Sequence, residues 1–266
     1  MRYITISIFL LLNFSALAIE SSSKRIESKD FDFVLFDHMK RKDVEDIIQS
    51  LEKNRQRILD DLKPESMPKA EIYIWDKQSS WKRDNQVLLA NHPSSGGYID
   101  PLNNRVKFIK HEPPNTIILS IFGLFKSSKQ KTLDEFYAEL ANPSSVAVHE
   151  YTHLVVYHVD PSLDLPPWLW ESLACYEAQT DFDLSKLAKD ISDLKQPFSK
   201  LGKDQNIYFL GYDIVEYIVQ TWNISVLNPL IKSSGNVQSV LGLEQSEFED
   251  GFWEYLQLKH FSPRAK

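Results

Sequence analysis

The sequence predicts an α+β fold, in which strands and helices alternate in the first half and helices dominate the second. Two apolar segments typical of strands, Phe31–Phe36 and Ala70–Trp75, flank a segment with a helical repeat of apolar residues, Arg41–Leu62. Later segments have helical periodicity. Hydrophobic residues make up 42% of the 266 residues, which is enough for a sizeable core.

The first half begins with a β-α-β unit, and its two strands are therefore expected to be parallel. The segment Asn91–Gly97 is rich in turn-forming residues and predicts a loop. Tyr98–Lys110 predicts a hairpin, with its turn around Pro101–Asn104.

The second half is expected to be built from successive helices. Asn142 is a suitable cap and Pro143 a suitable first residue for the helix that follows them. A preceding helix and three later ones are predicted for Thr132–Ala141, Pro166–Gln179, Ile207–Trp222 and Gln245–His260. No stretch is linker-like enough to divide the chain into independent domains.

The N-terminus has the pattern of a secretory signal peptide. Arg2 supplies a positive charge, Ile4–Leu12 is almost wholly apolar, and the small residues Ala16 and Ala18 predict cleavage after residue 18. The alternative is an uncleaved anchor helix, although the apolar run is short for one. Residues 19–30, rich in Ser, Lys and Glu, are expected to form a flexible leader. No later segment is long and apolar enough to span a membrane, so no stable span is expected after cleavage.

Charge and cysteine content narrow the class of protein. Removing residues 1–18 leaves 29 basic against 37 acidic residues, a net charge of −8, which argues against a nucleic-acid-binding protein. Cys175 is the single cysteine, so an internal disulfide is impossible. An exported chain without disulfides is typical of the bacterial periplasm or of bacterial secretion.

The segment "VAVHEYTHLVVYH" contains His149, Glu150 and His153 in the pattern HExxH. On an α-helix, the two histidines lie about 40° apart on one face and can reach one zinc ion. Such a zinc ion lowers the pKa of its bound water, and the glutamate accepts the proton. The alternative is an ordinary amphipathic helix whose histidines are hydrogen-bonded in a core.

A catalytic zinc usually has three protein ligands, and several residues are candidates for the third. His158 lies about 140° around the helix from His153, so we interpret it as structural. Glu171 follows His153 by eighteen residues, after a proline-rich turn that allows its helix to fold back. It is the preferred candidate, and Asp160 and Asp164 in the connecting loop remain alternatives.

The HExxH segment followed by "LPPWLWESLACYEA" resembles the gluzincins, zinc peptidases that include thermolysin and the aminopeptidase N family. It is most similar to peptidase MA-like domains. The resemblance implies zinc ligands His149, His153 and Glu171, with Glu150 as general base. It also implies a zincin-like single domain over 31–262, with a mixed N-terminal β-sheet and helices over 31–130 and a helical part over 131–262. In that part, an active-site helix and a glutamate helix precede a C-terminal helical subdomain.

The resemblance also implies a catalytic tyrosine. "IYFLGY" is similar to the aminopeptidase segment "VYEKG", whose tyrosine stabilises the oxyanion, and this places the role on Tyr208. Tyr212 is the alternative donor, and simple core packing of both tyrosines is the other interpretation.

The chain departs from the family pattern at several positions. Trp170 and Ser172 flank Glu171 where aminopeptidases have "NEG". The chain also has no "GAMEN" strand, which recognises a free N-terminus in the aminopeptidases, so exopeptidase activity has no support and an endopeptidase or a protease of narrow specificity is at least as well supported. Cys175 stands where thermolysin-like enzymes have an aspartate that supports a ligand histidine, so that support is expected from elsewhere. We interpret Cys175 as a buried small hydrophobe rather than a nucleophile.

These patterns predict an exported, zinc-dependent metallopeptidase that binds one Zn²⁺ and hydrolyses a peptide or protein substrate. The strand Arg105–Lys110 is either the sheet edge on which an extended peptide lies or an ordinary interior strand. Two alternatives remain. One is an inactive zincin-like protein that binds envelope proteins or peptides, and the other is a structural domain without metal.

Overall fold

Five strands form one mixed sheet within residues 23–91, 96–110, 141–201 and 206–262, which are the residues that this computed structural model describes. The strands are β1 (Lys24–Glu27), β2 (Phe31–Leu35), β3 (Ala70–Trp75), β4 (Gly97–Asp100) and β5 (Arg105–Ile109). Their order in the sheet is β1-β2-β3-β5-β4. The signal peptide expected over residues 1–18 lies outside the described residues.

The three central strands are parallel, as the predicted β-α-β unit requires. Phe31 of β2 pairs with Ala70 of β3, and Glu71 of β3 pairs with Arg105 of β5. The predicted hairpin is also confirmed, because β4 runs antiparallel to β5 after a tight turn at Pro101–Asn103. The hypothesis that Arg105–Lys110 forms the sheet edge is wrong, since β5 lies between β3 and β4.

Part of the expected flexible leader is instead a strand. β1 pairs antiparallel with β2, from Lys24 opposite Leu35 to Glu27 opposite Asp32. Its side chains are polar except Ile26, which packs against the main core. Composition misled the prediction here because strand pairing uses the main chain, and a short charged strand suits a sheet edge.

The helices follow the predicted order with small shifts at their ends. They are α1 (Glu45–Leu62), α2 (Gln78–Asp84), α3 (Gln86–Asn91), α4 (Pro143–Val159), α5 (Pro167–Glu177), α6 (Phe198–Leu201), α7 (Ile207–Trp222), α8 (Leu227–Lys232), α9 (Val237–Leu241) and α10 (Gln245–Leu256). The last predicted helix changes after Leu256 into a π-helical turn, Gln257–Phe261. The helix predicted for Thr132–Ala141 lies outside the described residues, apart from its last residue. The α+β class is confirmed.

The sheet has an apolar core on each face. Alternate residues such as Phe33, Ile72 and Phe108 join the main cluster, which also contains buried residues of α1, α4, α5, α7 and α10. The opposite face carries a smaller cluster built around Trp75 and Trp81. One continuous core therefore connects the sheet with the helical half of the chain, and α4 packs directly on β4 and β5.

None of the helices in the described residues is both long and apolar enough to cross a lipid bilayer.

Candidate metal centre

Helix α4 carries the two histidines of the HExxH segment. Asn142 caps the helix, accepting a hydrogen bond from the Ser144 backbone N–H at 2.9 Å, and Pro143 is its first residue, as predicted. The helix is buried on most sides by the sheet, α1 and α5. His149 and His153 therefore occupy a rigid element, and they face the neighbouring helix α5.

Helix α5 brings Glu171 to the histidines. Pro166 and Pro167 begin it, and it packs against both α4 and α7. At Gly211 of α7, an added Cβ would lie 3.1 Å from the Cα of Ser172, so the absence of a side chain lets α7 approach the backbone of α5. The position of Glu171 is thus fixed by helices on both of its sides.

Three ligand atoms converge between α4 and α5. The Nε2 atoms of His149 and His153 are 3.1 Å apart, and Glu171 Oε2 lies 3.2 Å from the first and 3.7 Å from the second. Tetrahedral zinc with bonds of about 2.0–2.1 Å separates its ligand atoms by about 3.3 Å. The spacing of the three atoms therefore matches a metal site.

The hydrogen-bonding state of these atoms also fits a metal. Glu171 Oε2 is buried and has no hydrogen-bond partner among the described residues, although the two imidazole Nε2 atoms lie 3.2 and 3.7 Å away. Buried polar atoms are otherwise almost always paired. Two imidazole nitrogens and a carboxylate oxygen form a donor set typical of catalytic zinc. Within the described residues, these three side chains form the one group with metal-binding spacing.

The charges at this site are strongly coupled. Burial alone raises the pKa of the Glu171 carboxyl, but the adjacent imidazoles outweigh it and hold the pKa well below its ordinary value. Burial lowers the pKa of His149, but Cys175 and Glu171 beside it outweigh that effect and raise it. Burial keeps the pKa of His153 below its ordinary value. Metal binding at neutral pH is therefore expected to displace a proton from the site.

Glu150 follows the first histidine, and its carboxylate lies against strand β4. An added Cβ at Gly97 would lie 2.5 Å from Glu150 Oε1 and 2.7 Å from its Cδ, so no larger residue fits there without moving the carboxylate. β4 is at the edge of the sheet formed by the described strands. The side chain of the expected general base, the residue after His149, thus contacts this strand. The sequence contained no signal that Gly97 would make this contact.

The two candidate tyrosines lie at different distances from the histidines. The Tyr208 ring, at the start of α7, lies 6.0 Å from the His149 ring between centroids. Tyr212 instead packs on Tyr176 at 5.4 Å, and the Lys259 ammonium lies 5.2 Å from its ring centroid. Tyr208 is therefore the tyrosine that the fold brings close to the candidate metal-binding group.

The alternative third ligands lie elsewhere. His158 contacts Asn104 Oδ1 at 2.9 Å, at the far end of α4, in keeping with a structural role. Asp160 accepts hydrogen bonds from the backbone and hydroxyl of Ser162. Neither Asp160 nor Asp164 belongs to the metal-binding group of the described residues.

Cys175 is buried, as predicted. Its Cβ and Sγ lie against Gly211 of α7, where an added Cβ would be 3.1 Å from each of them. Support of a ligand histidine by another group stays a prediction.

No family model matches this chain, and a search of curated proteins finds no match either.

Proposed function

We propose that this protein is an exported, zinc-dependent peptidase of the gluzincin type. The observation that carries the proposal is the convergence of His149, His153 and Glu171, whose ligand atoms are 3.1–3.7 Å apart, next to the carboxylate-bearing Glu150. Three protein ligands would leave a fourth position on zinc for water or substrate, as in catalytic rather than structural zinc sites.

His149, His153 and Glu171 would hold the ion. When bound, zinc would act as a Lewis acid toward the scissile carbonyl and make water acidic enough to attack at neutral pH. Glu150 would accept the proton of the attacking water and pass it to the leaving amine. The mostly buried setting of the ligands strengthens these electrostatic effects, because little water screens them.

Strand β4 is the best candidate for holding an extended substrate. It is an edge strand of the described sheet, and its Gly97 touches the side chain of Glu150. A peptide that adds to this edge by main-chain hydrogen bonds would pass beside the general base. Main-chain recognition of this kind favours a peptide or protein substrate over a small ligand.

Export would follow from the signal peptide predicted for residues 1–18. With no cysteine other than Cys175, the mature chain needs no disulfide to fold. The bacterial periplasm or the medium would then be the site of action.

Tyr208 would donate a hydrogen bond to the oxyanion that forms at the scissile carbonyl. Tyr208→Phe is expected to lower kcat about 100-fold, the usual effect of losing one oxyanion donor, with the zinc content unchanged. Tyr212→Phe is the matched control, since Tyr212 contacts Tyr176 and Lys259 instead, and near-normal kcat is expected. Equal losses of kcat in both variants would argue against the role of Tyr208.

The proposal is tested on purified mature protein, residues 19–266, with zinc measured by elemental analysis and cleavage followed on an unfolded protein such as casein. One equivalent of zinc is expected, together with cleavage that a chelator abolishes and added zinc restores. Zinc binding and peptide binding without cleavage would favour an inactive zincin-like binding protein. No zinc uptake at neutral pH would refute the metal site itself.

A further inference from the structure

The second nitrogen of His153 is unusual for a metal ligand. Its Nε2 faces the cluster, but its Nδ1 is buried and has no hydrogen-bond partner among the described residues. A histidine that binds metal normally donates its other N–H to a carboxylate, a carbonyl or water, and this fixes the ring. Some other contact must therefore set the orientation of the His153 imidazole.

That contact is made by Trp170. The imidazole of His153 lies flat on the indole, with ring centroids 4.3 Å apart and only 6° between the planes. Rotation of the imidazole about its Cβ–Cγ bond would break this overlap. By contrast, the rings of His149 and His153 are perpendicular, so they do not hold one another in the same way.

Trp170 is itself firmly placed. It is partly buried and packs against the main core, and its backbone N–H donates to Pro166 O at 3.1 Å. The next residue is the ligand Glu171, so one helical segment supplies both the carboxylate and the indole. A shift of this segment would move both groups together.

We propose that Trp170 is a positioning residue of the metal site, whose indole replaces the missing hydrogen bond and keeps His153 Nε2 turned toward the ion. This inference rests on the proposed function, because it takes a metal ion as the ligand. His153 is then oriented by an aromatic face rather than by a hydrogen bond.

The test compares Trp170→Leu, which keeps an apolar side chain but removes the aromatic face, with Trp170→Phe, which keeps a smaller face. Trp222→Leu is the matched control, because Trp222 is also partly buried but contacts Tyr217 and Phe248 in the core. Three quantities are measured on the mature chain: the zinc Kd by competition with a chromophoric chelator, the visible spectrum of the Co²⁺-loaded protein, and the unfolding midpoint of the metal-free protein.

Trp170→Leu is expected to weaken zinc binding about three- to tenfold, the range that one aromatic contact supports, and to alter the Co²⁺ spectrum. Trp170→Phe is expected to show smaller changes of the same kind. Trp222→Leu should lower the unfolding midpoint and leave both metal readouts unchanged. If the role of Trp170 were purely structural, the Trp170 variants would behave in the same way, with a lower unfolding midpoint but unchanged zinc affinity and Co²⁺ spectrum.

Unchanged zinc affinity and Co²⁺ spectrum in the Trp170 variants that fold would overturn the inference, and Trp170→Phe decides if Trp170→Leu does not fold. If the Trp170 variants show no change but the wild type binds zinc, the positioning role is wrong and the proposed function still stands. A wild-type protein that binds neither zinc nor Co²⁺ would instead refute the proposed function, and the positioning role with it.

Discussion

Glu171→Ala is expected to weaken zinc binding by more than about 100-fold, because groups that merely orient metal ligands are already worth about 10–100-fold. The variant keeps His149 and His153 but loses the oxygen that lies 3.2 Å and 3.7 Å from their Nε2 atoms. Two histidines on one helix leave most of the coordination sphere to water. Elemental analysis after dialysis, with zinc titration for the residual affinity, measures the effect.

Glu150→Gln is the matched variant for that experiment. It also removes one carboxylate charge, but from the residue beside the ligands, so about one equivalent of zinc should remain while hydrolysis falls about 10²- to 10⁴-fold. Loss of zinc in Glu171→Ala, but only of hydrolysis in Glu150→Gln, would identify Glu171 as a metal ligand and Glu150 as the general base. Zinc retained at wild-type affinity in Glu171→Ala, or lost equally from both variants, would contradict the assignment of these two glutamates.

Gly97→Ala is expected to lower kcat about 100-fold while the zinc content and the unfolding midpoint stay near those of the wild type. The added Cβ would lie 2.5 Å from Glu150 Oε1, so the carboxylate must move by about 1 Å to restore an ordinary contact. The obstructed atoms, Oε1, Cδ and Cγ of Glu150, all belong to one flexible side chain, so the fold can accommodate the methyl group when that side chain rotates. Catalysis is expected to be more sensitive than the fold, because moving the general base by about 1 Å costs about 100-fold in rate.

Gly251→Ala controls for the substitution itself. Its Cβ would meet the hydroxyl of Tyr217, again the end of a side chain, but in the C-terminal helix α10. Catalysis at the metal site should be unaffected. The role of Gly97 would be rejected if kcat of Gly97→Ala matched that of Gly251→Ala, or if Gly97→Ala lost zinc.

Much of the fold followed from local patterns. The period of apolar residues predicted the strands β2 and β3 and the helix between them, and the bounds of α7 matched the prediction, Ile207–Trp222. Asn142 and Pro143 predicted the start of α4 because capping depends on neighbouring residues only. The strand at Lys24–Glu27 was missed because its pairing with β2 depends on a main-chain contact that its own composition does not reveal.

For the candidate site, the sequence by itself determined the residue types and the helical spacing that place His149, Glu150 and His153 within about 1.1 turns of one helix. It also favoured Glu171 among several possible third ligands. These conclusions depend on local geometry, which the order of residues in a helix sets directly.

Only the tertiary structure decided which groups meet across elements. The packing of α5 against α4 brought Glu171 to the histidines and stacked Trp170 on His153. The placement of α7 brought the ring of Tyr208, rather than that of Tyr212, close to His149. Among the described strands, the sheet order made β4, and not β5, the edge strand that contacts Glu150. Such contacts depend on how helices and strands pack over long sequence separations, and that packing is a collective result of burying the whole apolar core.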